Sequence, residues 1–348
     1  MVTIRDIAKA TGFSIATVSL TLNRAGRRIP ASTQERIMRT ARRLGYFPNL
    51  QARSLRSKRT HSIGVLVFDI TDPYCALIIR GIENSLYESG YMPILSDLQN
   101  NPKRLRQCTQ MLMERRVEAL IAIANPVHLG TDISSLVKQF NVPTVVIGSK
   151  SNDNSYASVV VDNQLGTRLL MEHLIALGHR DFAIIKGPKA MIDSAPRWDG
   201  IQRCLRANGL KVDAELIAEI RARNSSYEEV YELTQGLLAR KKPFTALVAF
   251  DDLTAFAAIG ALSHAGKRVP EDCSVVGFDD IPGAAFYNPP LTTVHQKLEQ
   301  QGLHAAEIVE LMLSDKSRSL APAHETVTPT LVIRKSTTGS TVRGASST

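Results

Sequence analysis

The chain has 348 residues, of which 44% are hydrophobic and 22% charged, values typical of a globular protein with two or three domains. Its net charge of +9 is concentrated in residues 1–60, which carry +11, while the rest of the chain sums to −2. A basic segment on a nearly neutral remainder indicates a polyanionic partner for that segment alone. Since the sequence shows neither a signal segment nor a run of roughly 18 apolar residues, we expect a cytoplasmic protein without membrane contact.

Residues 3–22 have the pattern of two short helices joined by a turn. Thr3 and Asp6 have the spacing of a capping box, which opens a helix. Gly12 permits the positive φ of a tight corner, and Ser14 can cap a second helix. This arrangement predicts a helix-turn-helix, whose second helix enters the major groove of DNA.

The second helix has two different faces. Val18 and Leu22 point the same way and form its packed side, while Ala16, Thr17 and Leu20 project from the opposite side. A solvated helix face usually carries charge, so small and apolar side chains there need a reason. Contact with thymine methyl groups is one, and an ordinary helical hairpin with a stray exposed leucine is the alternative.

A third helix completes a headpiece of residues 1–46. Ser32 and Glu35 repeat the capping-box spacing, and the apolar periodicity ends at Gly45. Three small helices enclose one modest core. The basic residues available for phosphate contacts are Arg24, Arg27, Arg28, Arg36, Arg39, Arg42 and Arg43.

Residues 47–60 are predicted to form a short basic helix and linker. Asn49 follows a proline and can cap a helix of one or two turns. Such a helix is marginal alone in water, but docking on DNA, with a leucine wedged into a minor-groove step, would order it. A plain charged linker is the alternative. The side chains on this helix are Ala52, Arg53, Leu55 and Arg56.

From Ser62 onward, short apolar strands alternate with helices, which predicts parallel sheets with helical crossovers. About nine such units exceed one open sheet, so we expect an α/β body, residues 61–336, of two doubly wound lobes. Ligands bind such folds at the carboxyl ends of the strands, here in the cleft between the lobes. Residues 337–348 have the composition of a disordered tail.

Four groups of residues, in this order, resemble signatures of the LacI/GalR family of bacterial transcriptional regulators. The resemblance extends over nearly the whole chain. The groups are Val2–Ala8 with Ser14–Ser19 and Asn23; Leu44–Asn49 with Ala52, Arg53 and Leu55; Val161–Asn163 with Gly166 and His173–His179; and Val275–Asp280 with Pro290–Thr293.

The resemblance implies a homodimer whose headpieces bind a near-palindromic DNA operator. It also implies a body similar to periplasmic sugar-binding proteins, with a small-molecule effector in its cleft and no cofactor or metal. One lobe would comprise residues 61–161 and 294–322, and the other residues 162–293 and 323–336.

The resemblance also places the functional residues. In the headpiece, the DNA-binding positions are Thr3, Ser14, Ile15, Ala16, Thr17, Ser19, Leu20, Asn23 and Arg28. In the hinge they are Asn49, Ala52, Arg53, Leu55 and Arg56, with Leu55 matching the leucine that wedges into the minor groove. The ligand-binding positions are Tyr74, Cys75, Asp162, Arg197, Asn224, Phe250 and Asp279.

Several residues depart from the family pattern or permit another interpretation. Leu20 cannot donate to guanine as the arginine common in the family does, and Phe250 replaces a frequent asparagine. The effector is therefore less hydroxylated than a plain sugar, or absent. Arg197 and Asp279 form a pair suited to sugars and sugar acids. From the residues alone, capping of local structure explains Asp279 and Asp162 better than ligand binding does.

Two other classes of protein fit the sequence less well than a regulator. A ligand-binding protein without DNA function does not explain the basic headpiece. An enzyme is disfavoured because the chain lacks hydrolase and nucleotide-binding motifs, and its four cysteines lack metal-ligand spacing. We therefore expect a non-enzymatic repressor of a catabolic operon, controlled by a sugar or sugar-derived metabolite.

Overall fold

The computed structural model describes residues 2–22, 29–46, 59–124, 127–151, 153–221, 226–314 and 323–340. The chain divides into two compact units, residues 1–60 and 61–348. Among the described residues, no helix is both long and apolar enough to cross a membrane. Several predicted features lie outside the described residues: Asn23, Arg28, the hinge helix with Asn49, Ala52, Arg53, Leu55 and Arg56, Asn224, and the tail beyond residue 340.

The described part of the first unit contains three short helices, α1 (Ile4–Thr11), α2 (Ile15–Leu22) and α3 (Ala31–Arg43). Both halves of the predicted capping box are present, since the Thr3 amide donates to the Asp6 carboxylate at 2.8 Å and the Asp6 amide to the Thr3 hydroxyl at 3.4 Å. Gly12 has the predicted positive φ, 74°. The helices bury one apolar core of Ile7, Ala8, Val18, Ile37 and Ala41.

The start of α3 differs from its prediction. The helix begins at Ala31 with Pro30 at the N-cap, so Ser32 lies inside the first turn and makes no capping box with Glu35. Proline suits this boundary because it has no amide hydrogen to leave unpaired. The Gln34 side chain donates instead to the carbonyl of Ile29, at 2.8 Å.

The first lobe of the body is a sheet flanked by helices. Its strands lie in the order β11-β5-β4-β3-β1-β2, and every neighbouring pair is parallel. Strands β1, β3 and β4 are fully buried, as their apolar sequences predict. The elements are β1 (Ser62–Val67), α4 (Pro73–Glu88), β2 (Met92–Asp97), α5 (Pro102–Glu114), β3 (Ala119–Ile123), α6 (Val127–Phe140), β4 (Thr144–Ile147), β5 (Ala157–Val161), α12 (Leu298–Ser314) and β11 (His324–Val327).

The second lobe repeats this plan with strand order β12-β10-β9-β8-β6-β7. Only β12 runs antiparallel to its neighbour among these described pairs. The elements are α7 (Asn163–Ala176), β6 (Phe182–Lys186), α8 (Ser194–Ala207), β7 (Ile217–Glu219), α9 (Tyr227–Ala239), β8 (Ala246–Ala249), α10 (Asp252–His264), β9 (Ser274–Asp279), α11 (Gly283–Phe286), β10 (Thr292–His295) and β12 (Thr330–Val332).

Along the described residues, the chain passes between the lobes three times, and this corrects the expected lobe boundaries. It crosses after β5, after β10 and after β11. Residues 324–327 therefore belong to the first lobe rather than the second, and Val294 and His295 belong to the second rather than the first. Strands of three or four residues at a sheet edge carry too little apolar pattern to reveal which sheet they join.

The start of the predicted disordered tail is also corrected. Residues 337–340 are held on the second lobe by hydrogen bonds. The Thr338 carbonyl accepts from His179 at 2.9 Å, and the Ser340 amide donates to the Leu177 carbonyl at 2.9 Å. The polar composition of this segment predicted disorder, but the segment is held through backbone groups, whose hydrogen bonds do not depend on side-chain hydrophobicity.

Helices α4 and α12 pack closely because each carries a glycine at the contact. A Cβ atom on Gly302 would overlap the backbone carbonyl of Ile78, and one on Gly81 would overlap that of Glu299. We expect Gly302→Ala to lower the free energy of unfolding by about 1–3 kcal/mol, because rigid backbone must move apart. Denaturant titration measures the effect.

Gly236 of α9 is the matched control, since nothing lies within 4 Å of the Cβ that alanine would add there. Gly236→Ala is expected to be neutral or stabilising by up to about 1 kcal/mol. Equal destabilisation by both substitutions would contradict close packing at Gly302.

Candidate functional site

The exposed side of α2 is apolar and uncharged. Ile15 and Leu20 are 51% and 47% exposed, and Ala16 is exposed between them. Val18 is fully buried and Leu22 packs on the core, so the two faces are divided as predicted. These exposed side chains are not part of the buried core of the headpiece, so they are available to contact another molecule.

The polar residues at the start of α2 fix its position. The Ser14 hydroxyl accepts from the Thr17 amide at 3.1 Å and lies 2.8 Å from the Thr17 hydroxyl. Ser14 is therefore the predicted cap. Thr3 is exposed at the start of α1, and Ser19 is half-buried on α2.

The body contains a cavity of about 250 Å³ between its lobes. The first lobe contributes Phe68, at the end of β1, and the loop that leads into α4. The second lobe contributes the segments that follow β6 and β8, and Asp279 at the end of β9. The cavity thus lies at the carboxyl ends of parallel strands, where the doubly wound architecture places ligands.

Arg197 of α8 joins several of these segments. It is 5% exposed, and its Nε donates to the Asn163 side chain at 2.9 Å while its Nη1 donates to the Phe250 carbonyl at 2.7 Å. Its Nη2 lies 2.7 Å from an Asp193 carboxylate oxygen and 3.6 Å from an Asp279 oxygen. The guanidinium plane also lies over the ring of Phe278, 3.8 Å from its centroid.

The cavity wall is rich in carboxylates. Asp72 caps α4 by accepting from the Tyr74 amide at 2.9 Å, and Asp251 caps α10 by accepting from the Thr254 amide at 2.7 Å. Burial raises the pKa of Asp72 to about 7. Burial also raises the pKa of Asp251 and Asp279, although Arg197 opposes the rise at both.

The structure brings together four of the predicted ligand-binding residues: Tyr74, Arg197, Phe250 and Asp279 line the cavity. Two others do not. Cys75 is fully buried in the core of the first lobe, and Asp162 caps α7 by accepting from the Leu165 amide at 2.9 Å. Asp162 lines a different surface depression, so capping explains it better than ligand binding.

Sequence reasoning missed four of the cavity carboxylates, Asp69, Asp72, Asp193 and Asp251. A signal for two of them was present, since Asp72 and Asp251 follow predicted strands and precede predicted helices. Such positions lie at the carboxyl edge of a sheet. Asp193 had a weaker signal, its spacing of four from Arg197 at the start of a helix.

Comparison with known proteins identifies the architecture. A family model for bacterial regulatory proteins of the lacI family matches residues 3–49, and one for a periplasmic binding protein-like domain matches residues 171–337. The HTH-type transcriptional repressor PurR of Pasteurella multocida is 33% identical over 339 residues, which cover 97% of this chain and 98% of that protein. The chain belongs to the LacI family.

Other LacI-family proteins also match this chain over nearly its full length. PurR of Haemophilus influenzae strain PittEE is 34% identical, with the same coverage of both chains. A crystal structure of the lac repressor dimer bound to operator and the anti-inducer ONPF covers 97% of this chain and 99% of that one, with 26% identity and a TM-score of 0.83. A CelR–cellobiose complex covers 97% of this chain and 100% of that chain, with 26% identity and a TM-score of 0.72.

The protein is therefore a LacI-type transcriptional repressor, with a DNA-binding headpiece and a ligand-binding body. This confirms the expected fold class and the general function. The relatives are transcriptional repressors rather than enzymes.

The raised pKa of Asp72 predicts a pH dependence of stability for this LacI-family body. Because the folded-state pKa, about 7, exceeds that of an exposed aspartate, the folded protein keeps a proton that the unfolded chain has lost. The contribution of this group to stability therefore falls as pH rises from about 4 to about 7. Asp72→Asn retains a good helix cap, and we expect its free energy of unfolding to fall less over this interval than that of the parent.

Denaturant unfolding at a series of pH values measures this difference. Asp213→Asn is a control on the surface of the second lobe, where Lys242 lowers the pKa of the Asp213 carboxyl. Parallel pH profiles for the parent and Asp72→Asn would contradict burial as the controlling factor.

Proposed function

We propose that this chain is a homodimeric cytoplasmic repressor of a catabolic operon, controlled by a sugar or sugar-derived effector in the cleft. The observation that carries the DNA-binding part is the uncharged, exposed face of α2, at Ile15, Ala16 and Leu20, on a unit of charge +11. Apolar groups suit thymine methyls in the major groove, and the arginines of the same unit suit phosphates.

The proposed operator is near-palindromic, because two identical headpieces on a two-fold axis read inverted half-sites. The lac repressor relative is a dimer bound to operator in its solved structure, which supports the same arrangement here. Leu55 and its neighbours Asn49, Ala52, Arg53 and Arg56 are proposed to enter the minor groove between the half-sites.

The cleft supports an effector role because its wall comes from both lobes. A ligand that contacts both lobes stabilises one angle between them, and it changes operator affinity by as much as it prefers that angle. Tyr74, Arg197, Phe250 and Asp279 are the proposed ligand contacts, together with the carboxylates of Asp72 and Asp193. The CelR relative binds cellobiose in its solved structure, which supports a carbohydrate-like ligand.

Replacing Leu20 tests whether this apolar side chain contacts a base edge in the operator. We expect Leu20→Ala to relax base preference at one position of each half-site, with little change in affinity for random duplex, because leucine touches a base edge and no phosphate. Selection of binding sites from a random DNA pool, followed by titration of the selected and random duplexes, measures both quantities.

Met38 of α3 provides a matched control, since it is an exposed apolar residue of the same headpiece, 37% accessible. Met38→Ala is expected to leave the selected sequence unchanged. An unchanged selected sequence for Leu20→Ala would contradict the proposed contact.

A further inference from the structure

The cavity between the lobes has a strong excess of negative groups. Five aspartates and one basic residue line it among the described residues. The nearby Lys186 lies outside the cavity wall and pairs with Glu219 at 2.8 Å. The aspartates are Asp69, Asp72, Asp193, Asp251 and Asp279.

Arg197, the basic residue of this wall, is already engaged by the protein. Three of its nitrogens contact Asn163, the Phe250 carbonyl and Asp193. The guanidinium also packs against the rings of Phe250 and Phe278, whose centroids lie 4.7 and 3.8 Å from Cζ. A ligand carboxylate or phosphate would therefore meet several aspartates and a guanidinium that is already paired.

The wall also contains a buried acceptor that lacks a donor. Asp193 is 6% exposed, and one carboxylate oxygen pairs with Arg197, but Oδ1 has no hydrogen-bond partner among the described residues. A buried carboxylate oxygen without a donor is costly, and native structures normally satisfy such groups. A donor carried by the ligand would satisfy it.

Aromatic rings complete the wall. Phe68 and Tyr74 form a tilted pair with centroids 6.1 Å apart, and both line the cavity. Faces of aromatic rings attract cations and also pack against apolar C–H groups. Carboxylates among aromatic rings are a favourable environment for an ammonium group attached to a small carbon skeleton.

We infer that the effector is a small organic cation, a primary amine that also carries hydroxyl or further amino groups, and that the cleft excludes anionic metabolites. This inference rests on the proposed effector function of the cleft. It narrows the sequence-based expectation, in which Arg197 and Asp279 suited sugars and sugar acids alike, because Arg197 is now seen to be paired within the protein.

Binding of a cation has a measurable consequence for protons. Burial raises the pKa of Asp72 to about 7, so this carboxyl holds a proton part of the time near neutral pH, and burial also raises the pKa of Asp251 and Asp279. An ammonium group favours the ionised carboxylates, so its binding releases protons, whereas an anion would take protons up. The charged and titratable groups that face one another here are Asp69, Asp72, Tyr74, Asp193, Arg197, Asp251 and Asp279.

The test uses the full chain and matched sets of ligands. Each set contains an amine, its neutral counterpart and its acidic counterpart, for example glucosamine, glucose and glucuronate. Further sets are built on galactose and on aliphatic polyamines with their diol and dicarboxylate analogues. At millimolar concentration, we expect an amine to raise the unfolding temperature most and the acids not at all. Calorimetry in buffers of different ionisation enthalpy is expected to show proton release.

Two variants locate the effect. Asp193→Asn and Asp72→Asn each replace one cavity carboxyl group by a neutral amide. The second variant retains the helix cap and serves if the first fails to fold. Each is expected to reduce the preference for the amine over its neutral counterpart by about ten- to hundredfold. Glu271→Gln removes an exposed charge elsewhere on the second lobe and is expected to leave that preference unchanged.

The inference is overturned if an acidic or neutral member binds best, if no amine stabilises the protein, or if binding takes protons up. These outcomes are separate from a failure of the proposed function. A neutral sugar that alters operator affinity would retain the effector role and reject the cation. An amine that binds in the cleft without altering operator affinity would retain the cation and reject the effector role.

Discussion

Arg197→Met is expected to lower the free energy of unfolding of the body by about 3–5 kcal/mol. Methionine retains much of the side-chain volume but removes the charge beside the buried carboxylates of Asp193 and Asp279. It also leaves the Phe250 carbonyl and the Asn163 side chain without their donor. Breaking a buried ion pair by removing one partner costs more than the pair contributes, because an uncompensated charge remains. Denaturant unfolding measures the loss.

Arg203 gives the matched control, since it lies on the same helix and pairs with Asp199 at 2.8 Å while 65% of its side chain is exposed. Arg203→Met is expected to change stability by no more than about 1 kcal/mol, because exposed ion pairs contribute little. Similar losses in the free energy of unfolding for the two variants would contradict the stabilising role of the buried Arg197 contacts.

Removing residues 1–60 is expected to abolish binding to operator and to random duplex alike. The deletion takes away α1–α3 and a charge of +11, and it leaves a body whose net charge is −2. Non-specific affinity comes from phosphate neutralisation, so a slightly acidic body has no electrostatic source of binding. The parent should show a steep fall in affinity between 50 and 200 mM salt, roughly 10³-fold or more for six or more phosphate contacts.

The body should survive this deletion because residues 61–348 form a compact unit with its own buried cores. Its unfolding temperature and its response to cleft ligands are expected to match those of the parent. Deletion of residues 341–348 is the control and should leave DNA binding unchanged. A shortened body that retains duplex as well as the parent would refute the assignment of DNA binding to the headpiece.

Most of the fold was predictable because its signals are local. The capping box of Thr3 and Asp6, the turn at Gly12 and the opposed faces of α2 each need only a few neighbouring residues, and the structure contains all three. The alternation of apolar strands and helices likewise specified parallel sheets. The position of residues 324–327 was not predictable, because the choice of sheet depends on contacts with β5, more than 160 residues earlier in the chain.

The candidate site was only partly predictable for the same reason. Arg197 stood out because a buried arginine needs acceptors, and the structure provides them. Asp162 and Asp72 both precede a helix and both cap it, so local sequence gave no means to distinguish them. Only the strand order places Asp72 at the cavity and Asp162 on another surface.

The three passages of the chain between the lobes restrict the motion available to the body. Two of them are joined by a hydrogen bond from the Asp162 amide to the Val327 carbonyl, at 3.2 Å. Lobes tethered in this way open and close mainly by rotation about one axis, with few other degrees of freedom. A substitution that favours one value of this angle would have the same effect as an effector. Variants with constitutive or uninducible behaviour are therefore expected in the three passages between the lobes as well as around the cavity.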